Sequence, residues 1–351
     1  MYTLNATFAL SQILSILFNA QNVDEITESS FLCLSIMSAC LKVLNLLLKR
    51  NDLIELTNTL LGGLYKYRDD DEEKIQRKFD STARFNTIVY SGMISLSAVM
   101  VTLQSLFNTV PERRLPFPSW HPYNYTRRTD VYVASYFHQL MGNITSAFLH
   151  VGSDTLVTGM MIQICAQLEI LQCRMKKLPD GLRSENARRM CLEKRRYRQP
   201  EELGDIIRHH DCIYRFCKIF NATFSMMMVT QFLIAALVTG SSVFQLSKMQ
   251  LFSSRFFTLL SYLICVVAQI FLYCWYGDAV STQSVNVSSI TLDVDWTHLD
   301  SETKKSLLVM MARSRKPIEM KTGWIIHLSM SSFAKIMKTS YSAFNFMQRM
   351  A

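Results

Sequence analysis

The chain has 351 residues, 49% of them apolar, and carries 37 Lys and Arg against 28 Asp and Glu for a formal charge of +9. The apolar residues gather in seven long runs separated by loops, which leaves no room for a separate soluble domain of the usual size, about 100–150 residues. The basic excess lies in the loops, a placement that suits anionic lipid headgroups and not nucleic acid.

The runs cover residues 4–20, 31–48, 85–110, 131–173, 213–246, 256–277 and 324–347. Each reaches or approaches the roughly 20 residues that a helix needs to cross a hydrocarbon core of about 30 Å. They are continuous or helically patterned and do not alternate every second residue, which excludes membrane barrel strands. A helical bundle is the spanning solution that remains. The prediction is an all-α, seven-transmembrane bundle forming one domain over residues 1–351.

In chain order, the first run has neither a basic leading region nor a small-residue cleavage site, so it reads as a span and not as a signal peptide. Between the second and third runs, Asp69-Asp70-Asp71-Glu72-Glu73 followed by Lys74, Arg77 and Lys78 predicts a solvated charged helix. The loop 111–125, rich in Pro116, Pro118, Trp120, Pro122 and Tyr123, predicts an extended lid over an outward-facing cavity or an interfacial aromatic belt. The fourth run continues to Met175, too long for one crossing, and either tilts or extends as a stalk. Residues 203–220 form an amphipathic lead into the fifth span. Ser301–Arg315 reads as a helix broken by Lys316-Pro317, and Gly323 precedes the last span.

Basic residues divide sharply between alternate loops. Residues 49–84 hold eight, 174–208 eleven and 304–321 six, whereas 23–30 hold none, 108–130 four, 248–255 two and the tail one. Basic loops stay cytoplasmic, so the amino terminus is expected inside and the carboxyl terminus outside. Residues 174–212 and 278–321 are then expected to form a cytoplasmic helical anchor region where subunits meet. Of the Asn-x-Ser/Thr sequons at Asn5, Asn124, Asn143, Asn221 and Asn286, Asn124 alone falls in an outer loop and is the expected glycan acceptor. The nine cysteines lie in or beside spans or in a basic inner loop, which argues for small buried hydrophobes and against a disulfide framework.

No phosphate-binding glycine loop, nucleophile elbow or zinc-like Cys/His spacing is present, so no catalytic residue, metal or cofactor is expected. His209-His210-Asp211 are adjacent on a helix and do not face one another. His150 and Asp154 are four apart and are expected to form a hydrogen-bonded pair inside the membrane.

The carboxyl-terminal run Met311-Ala312-Arg313-Ser314-Arg315-Lys316-Pro317, then Thr322-Gly323-Trp324 and Phe333 through Phe344, closely resembles the last segment of insect odorant receptors. Tyr273-Cys274-Trp275-Tyr276-Gly277, Asp295-Trp296, Asp154-Thr155-Leu156 and His210 match as well. Family members carry a longer cytoplasmic lead before the first span than this chain shows, and often a tyrosine just before the Asp-Trp pair that is absent here. The resemblance implies a ligand-gated cation channel subunit that binds a small volatile odorant and assembles as a heterotetramer with the Orco co-receptor. The expected location is the plasma membrane of olfactory neuron dendrites. The long inner-loop insertion of the co-receptor is absent. A gustatory receptor of the same superfamily is the alternative, and a G-protein-coupled receptor a more remote one, opposed by the charge distribution.

The resemblance further implies a ligand cavity in the outer half of spans two, three, four and six. Candidate linings at helical spacing are Met93, Ser97 and Val101, then Phe137, Met141 and Ile144, with Tyr262 on span six; interhelical packing is the competing role for each. By the family's pattern Phe344 and Gln348 fall at the pore's apolar gate, beside Ser340 and Met347, with packing inside the subunit as the competing role. Lys335 and Lys338, one turn apart, face water in an inner vestibule or snorkel to the interface, because a charge facing lipid costs roughly 2.5–3.5 kcal/mol.

Overall fold

The structure is a computed structural model that describes residues 2–19, 23–108, 113–123, 125, 128–191, 201–251, 253–297, 299–322 and 326–350. Its helices are α1 (Tyr2–Asn19), α2 (Val23–Leu48), α3 (Arg50–Leu61), α4 (Asp70–Asn108), α5 (Thr129–Cys191), α6 (Glu201–Lys248), α7 (Ser254–Asp293), α8 (Ser301–Ser314) and α9 (Met330–Met350). A 3-10 turn spans Gly63–Tyr65, and two-residue strands β1 (Lys321–Thr322) and β2 (Ile326–His327) pair antiparallel.

The seven predicted spans fall on α1, α2, α4, α5, α6, α7 and α9. Four of these helices, α4 to α7, are long and apolar enough to cross a membrane by length and composition. The last span starts later than the apolar run indicates, because 326–328 enters the hairpin before α9 begins. The fourth run resolves as a stalk: α5 continues for 63 residues with Pro179 inside it, a length of about 95 Å at 1.5 Å per residue. α5 is also the central column, since 72% of its most apolar window is buried against 11% for α4.

Local chemistry sets the helix starts. The Ser253 side chain accepts the Phe256 amide at the head of α7, a standard N-cap that satisfies an otherwise orphaned donor. Asp69 accepts the Glu72 amide at the head of α4, whose first turn carries Asp70, Asp71, Glu72 and Glu73 against the positive end of the helix dipole.

That acidic run is not simply solvated. Glu72 is buried and takes both parallel bonds of the Arg174 guanidinium, at 2.8 Å each. Arg174 spends its remaining donors on the carbonyls of Leu64 and Lys66 and on Nδ1 of His209. All five donors of the fork are thereby satisfied, as a buried guanidinium requires. His209 Nε2 donates to Gln167 Oε1 at 3.0 Å, which fixes the neutral tautomer, and Tyr65 stacks edge-on against its ring. The knot ties the 3-10 turn and α4 to α5 and α6. Next to it His210 bonds Ser314 at 3.1 Å and Arg313 lies over the Tyr214 ring, docking α8 on α6.

Beyond α8 the chain forms a strap stitched to the bundle. The Ile318 amide donates to Ser284 and its carbonyl accepts from Ser281, both on α7. The Asn221 amide of α6 brackets the Glu319 carbonyl and the Lys321 amide. Leu328 then crosses α7 at Gly277, where an added Cβ would stand 2.3 Å from the Leu328 Cβ and 2.6 Å from its carbonyl oxygen.

Two outcomes test these contacts. Gly277→Ala must displace backbone and should cost about 1–3 kcal/mol, whereas Gly92→Ala, with nothing within 4 Å, should be neutral or stabilising by up to about 1 kcal/mol; melting of the purified protein separates them. Burial, followed by the nearby Arg174 charge, holds His209 down at about 3. The unfolded chain therefore takes up a proton between roughly pH 6.5 and 3 that the folded chain refuses, so stability is full above pH 6.5 and declines below it. His209→Gln should flatten that decline in a pH series of melting temperatures.

Candidate functional site

The bundle interior holds a carboxylate with all its acceptor positions filled. Asp154 on α5 is 3% exposed and lies 2.5 Å from the ammonium of Lys42 on α2, which is 1% exposed. Its Oδ1 also accepts the Tyr273 hydroxyl at 2.7 Å, and its Oδ2 accepts the Tyr90 hydroxyl at 2.8 Å and the Gln269 amide. His150 does not pair directly with Asp154, contrary to the sequence expectation; Lys42 bridges them, with Nζ 3.0 Å from His150 Nδ1. The His150 Nε2 faces the Ser35 carbonyl at 3.1 Å, so that nitrogen donates and Nδ1 accepts from Lys42. Gln269 Oε1 accepts from Gln231, whose own Oε1 accepts the Ser38 hydroxyl at 2.6 Å. Five helices meet in this network, which leaves neither charge of the pair without a partner, the condition for burying an ion pair.

One turn away on every helix lies a cavity of about 90 Å³. Its floor is the network itself, presented by Tyr90, His150, Gln231 and Gln269. Its side walls include Ile94, Ala98, Ala235 and Val266. At the far end Ile36 and Val101 belong both to the wall and to an apolar cluster with Phe8 and Phe117. Phe117 sits in the loop before α5, where the buried Gln139 holds both its amide and its carbonyl. The Trp120 amide bonds the Ser11 carbonyl of α1. The described part of that loop is therefore packed down against α1 and α5.

Of the residues proposed from sequence, Ser97, Val101 and Tyr262 line this cavity. Met93 and Ile144 are half-buried outside its lining, and Phe137 and Met141 are exposed on the outer surface of α5. The fifth span, α6, contributes to the wall in addition to spans two, three, four and six. Lys42 went unremarked in the sequence, although a lone lysine inside an apolar run is itself the signal of a functional or paired site. Asn124 lies outside the described residues.

α6 also carries α9 on its other side. A Cβ at Gly240 would approach Ala343 Cβ to 3.0 Å, the Ser340 carbonyl to 3.1 Å and Met347 to 3.6 Å. Ser340 is buried on this contact face and Met347 half-buried, Phe344 is half-buried, and Gln348, Lys335 and Lys338 are exposed. Gly240 stands two residues from Val238 of the cavity wall, so one short stretch of α6 touches both. Among the described residues no cluster of His, Cys, Asp and Glu is placed to hold a metal.

Removing one member of the buried pair strands the other. Lys42→Met alone should cost about 3–5 kcal/mol. Adding Asp154→Asn should restore a substantial part, read as a positive coupling in a double-mutant cycle of melting temperature and surface expression.

Comparison with known proteins places the chain. The family model for the 7tm Odorant receptor matches residues 22–341. Odorant receptor 2a of Drosophila melanogaster is 25% identical over 359 residues, covering 97% of this chain and 86% of its own length. Odorant receptor 10 of Aedes albopictus is 20% identical over 302 residues, covering 84% and 77%. The solved structure of the insect olfactory receptor OR5 from Machilis hrabei in complex with eugenol superposes with a TM-score of 0.85 at 15% identity, over 100% of this chain and 88% of that one. A second structure of the same receptor gives 0.83 at 14% identity. The fold is thus that of an olfactory receptor, and the chain belongs to the seven-transmembrane odorant receptor family.

Proposed function

We propose that the chain is a ligand-tuning subunit of an odorant-gated, nonselective cation channel. It binds a small volatile hydrophobic molecule in the cavity between α2, α4, α5, α6 and α7, and opens its pore in a heterotetramer with the Orco co-receptor in the dendritic membrane of olfactory neurons. It acts as one seven-transmembrane domain with the amino terminus inside and the carboxyl terminus outside, and residues 174–212 and 278–321 serve as the cytoplasmic anchor.

The observation that carries this reading is the double role of α6, which walls the cavity with Gln231, Ile234, Ala235 and Val238 and meets α9 at Gly240. A molecule seated in the cavity presses on the helix that holds α9. The amphipathic character of α9, the strongest of the long helices, supports a pore-lining role. Its exposed face carries Ser331, Lys335, Lys338, Ser342 and Arg349 at helical spacing, and lysines there are tolerable only against water or another subunit. Ser340 and Met347 hold α9 on α6, Phe344 and Gln348 form the constriction, and Lys335 with Lys338 line the inner vestibule. The insect olfactory receptor OR5 from Machilis hrabei, which shares this fold, was solved in complex with eugenol, and a small-molecule ligand for that receptor supports the reading.

Current recordings from cells expressing this chain, Orco, or both test the assignment. Odorant-evoked currents that need both and survive a block of G-protein signalling are expected; currents abolished by that block would overturn it. Ala235→Trp should fill the cavity and silence every odorant response with surface expression retained. Replacing Lys335 and Lys338 with glutamine should raise single-channel cation conductance, and unchanged conductance would remove them from the vestibule.

A further inference from the structure

The polar side chains facing the cavity fall into two groups. Tyr90, His150, Gln231 and Gln269 turn their polar atoms into the network around Asp154 and are committed there. Ser38 donates to Gln231, Ser35 bonds Tyr262, and Ser97 accepts from Ser261. Asn143 and Ser146 on α5 are different. Both line the cavity, Ser146 is only 4% exposed, and among the described residues neither makes a hydrogen bond. They belong to the same helical stripe as the network, since Asn143, Ser146, His150 and Asp154 follow one another at spacings of three, four and four, which places them on one face. Asn143 stands toward the end away from Asp154, and Ser146 one turn above His150.

Polar atoms that line a cavity and have no partner within the chain are free to bond whatever the cavity holds. We infer that Asn143 and Ser146 are the polar recognition pair of the cavity, and that its ligands are small apolar molecules bearing one hydroxyl or carbonyl oxygen. This rests on the cavity being the odorant site. The Asn143 amide offers a donor and an acceptor, and the Ser146 hydroxyl does the same, so either oxygen type finds a complement. The rest of the exposed wall is apolar because its polar atoms are already paired, so a second polar group on the ligand finds no free partner. The volume of about 90 Å³, below the roughly 150 Å³ of an engineered cavity that takes a benzene ring, limits the ligand to a short chain of a few carbons. Direction follows as well: the oxygen lies along α5 and the hydrocarbon body lies against Ile94, Ala98, Ala235 and Val266.

The test uses the full chain expressed with the co-receptor and a panel of 1-butanol, butanal, 2-butanone and, as the hydrocarbon of matched size, n-pentane. In the wild type the best oxygenated compound should be more potent than its matched hydrocarbon by about tenfold or more, the worth of one or two good hydrogen bonds. Ser146→Ala and Asn143→Leu should each narrow that ratio, and the double variant should bring it near one; Ser146→Thr, which keeps the hydroxyl, should retain most of it. Equal potency of hydrocarbons and oxygenated compounds in the wild type would overturn the inference, as would a ratio unchanged in the double variant or silence to the whole panel from channels at the surface. Ala235→Trp is run alongside. If it leaves responses intact, the cavity reading itself fails; if it abolishes them while the ratio ignores Asn143 and Ser146, only the recognition pair fails.

Discussion

A charge cannot remain unpaired in the interior of a membrane bundle, and the Lys42–Asp154 contact is where this protein meets that constraint. The attraction of two charges in a poorly polarisable interior is large, yet so is the cost of removing both from water, and the balance is favourable only when every remaining donor and acceptor is used. Here the use is complete around the carboxylate. Lys42, Tyr90, Gln269 and Tyr273 converge on Asp154 from α2, α4 and α7, while Lys42 also meets His150. The geometry of that convergence fixes where these helices cross α5, and therefore where the space between them opens. The cavity is a consequence of the polar floor beneath it.

Much of the fold was legible in the chain. Apolar runs of sufficient length predicted every long helix, because in lipid length and hydropathy leave little choice of secondary structure. What could not be read was pairing between distant segments. The acidic run at 69–73 looks like a solvated surface, and only the return of α5 past it shows that Glu72 is taken out of water by Arg174. The start of the last span was displaced because Ile326 and Leu328 carry the same hydropathy whether they continue a helix or precede one. There the departure was decided by Gly277 and the stitched strap, features of tertiary approach and not of composition.

The site was legible in part for the same reason. Ser97, Val101 and Tyr262 reach the cavity because their helical registers agree with it, whereas Phe137 and Met141 point outward from α5. An error of one or two positions rotates a helical residue by 100–200° at about 100° per position, enough to carry a side chain from the cavity to the outer surface. The stripe Asn143, Ser146, His150 and Asp154 gave the correct register all along, since polar residues in a membrane helix face the interior. Apolar residues, acceptable on either face, carry no such information.

The saturation of Asp154 has a consequence for how such receptors diverge. A substitution at any one of Lys42, Tyr90, Gln269 or Tyr273 leaves a stranded partner in the interior, so these positions can change only as a set or through a compensated intermediate. The cavity wall above them carries no comparable debt, and residues such as Ile94, Ala235 or Val266 are free to drift one at a time. A duplicated copy of the gene would then reach new chemical preferences by single steps in the wall while the floor stayed fixed.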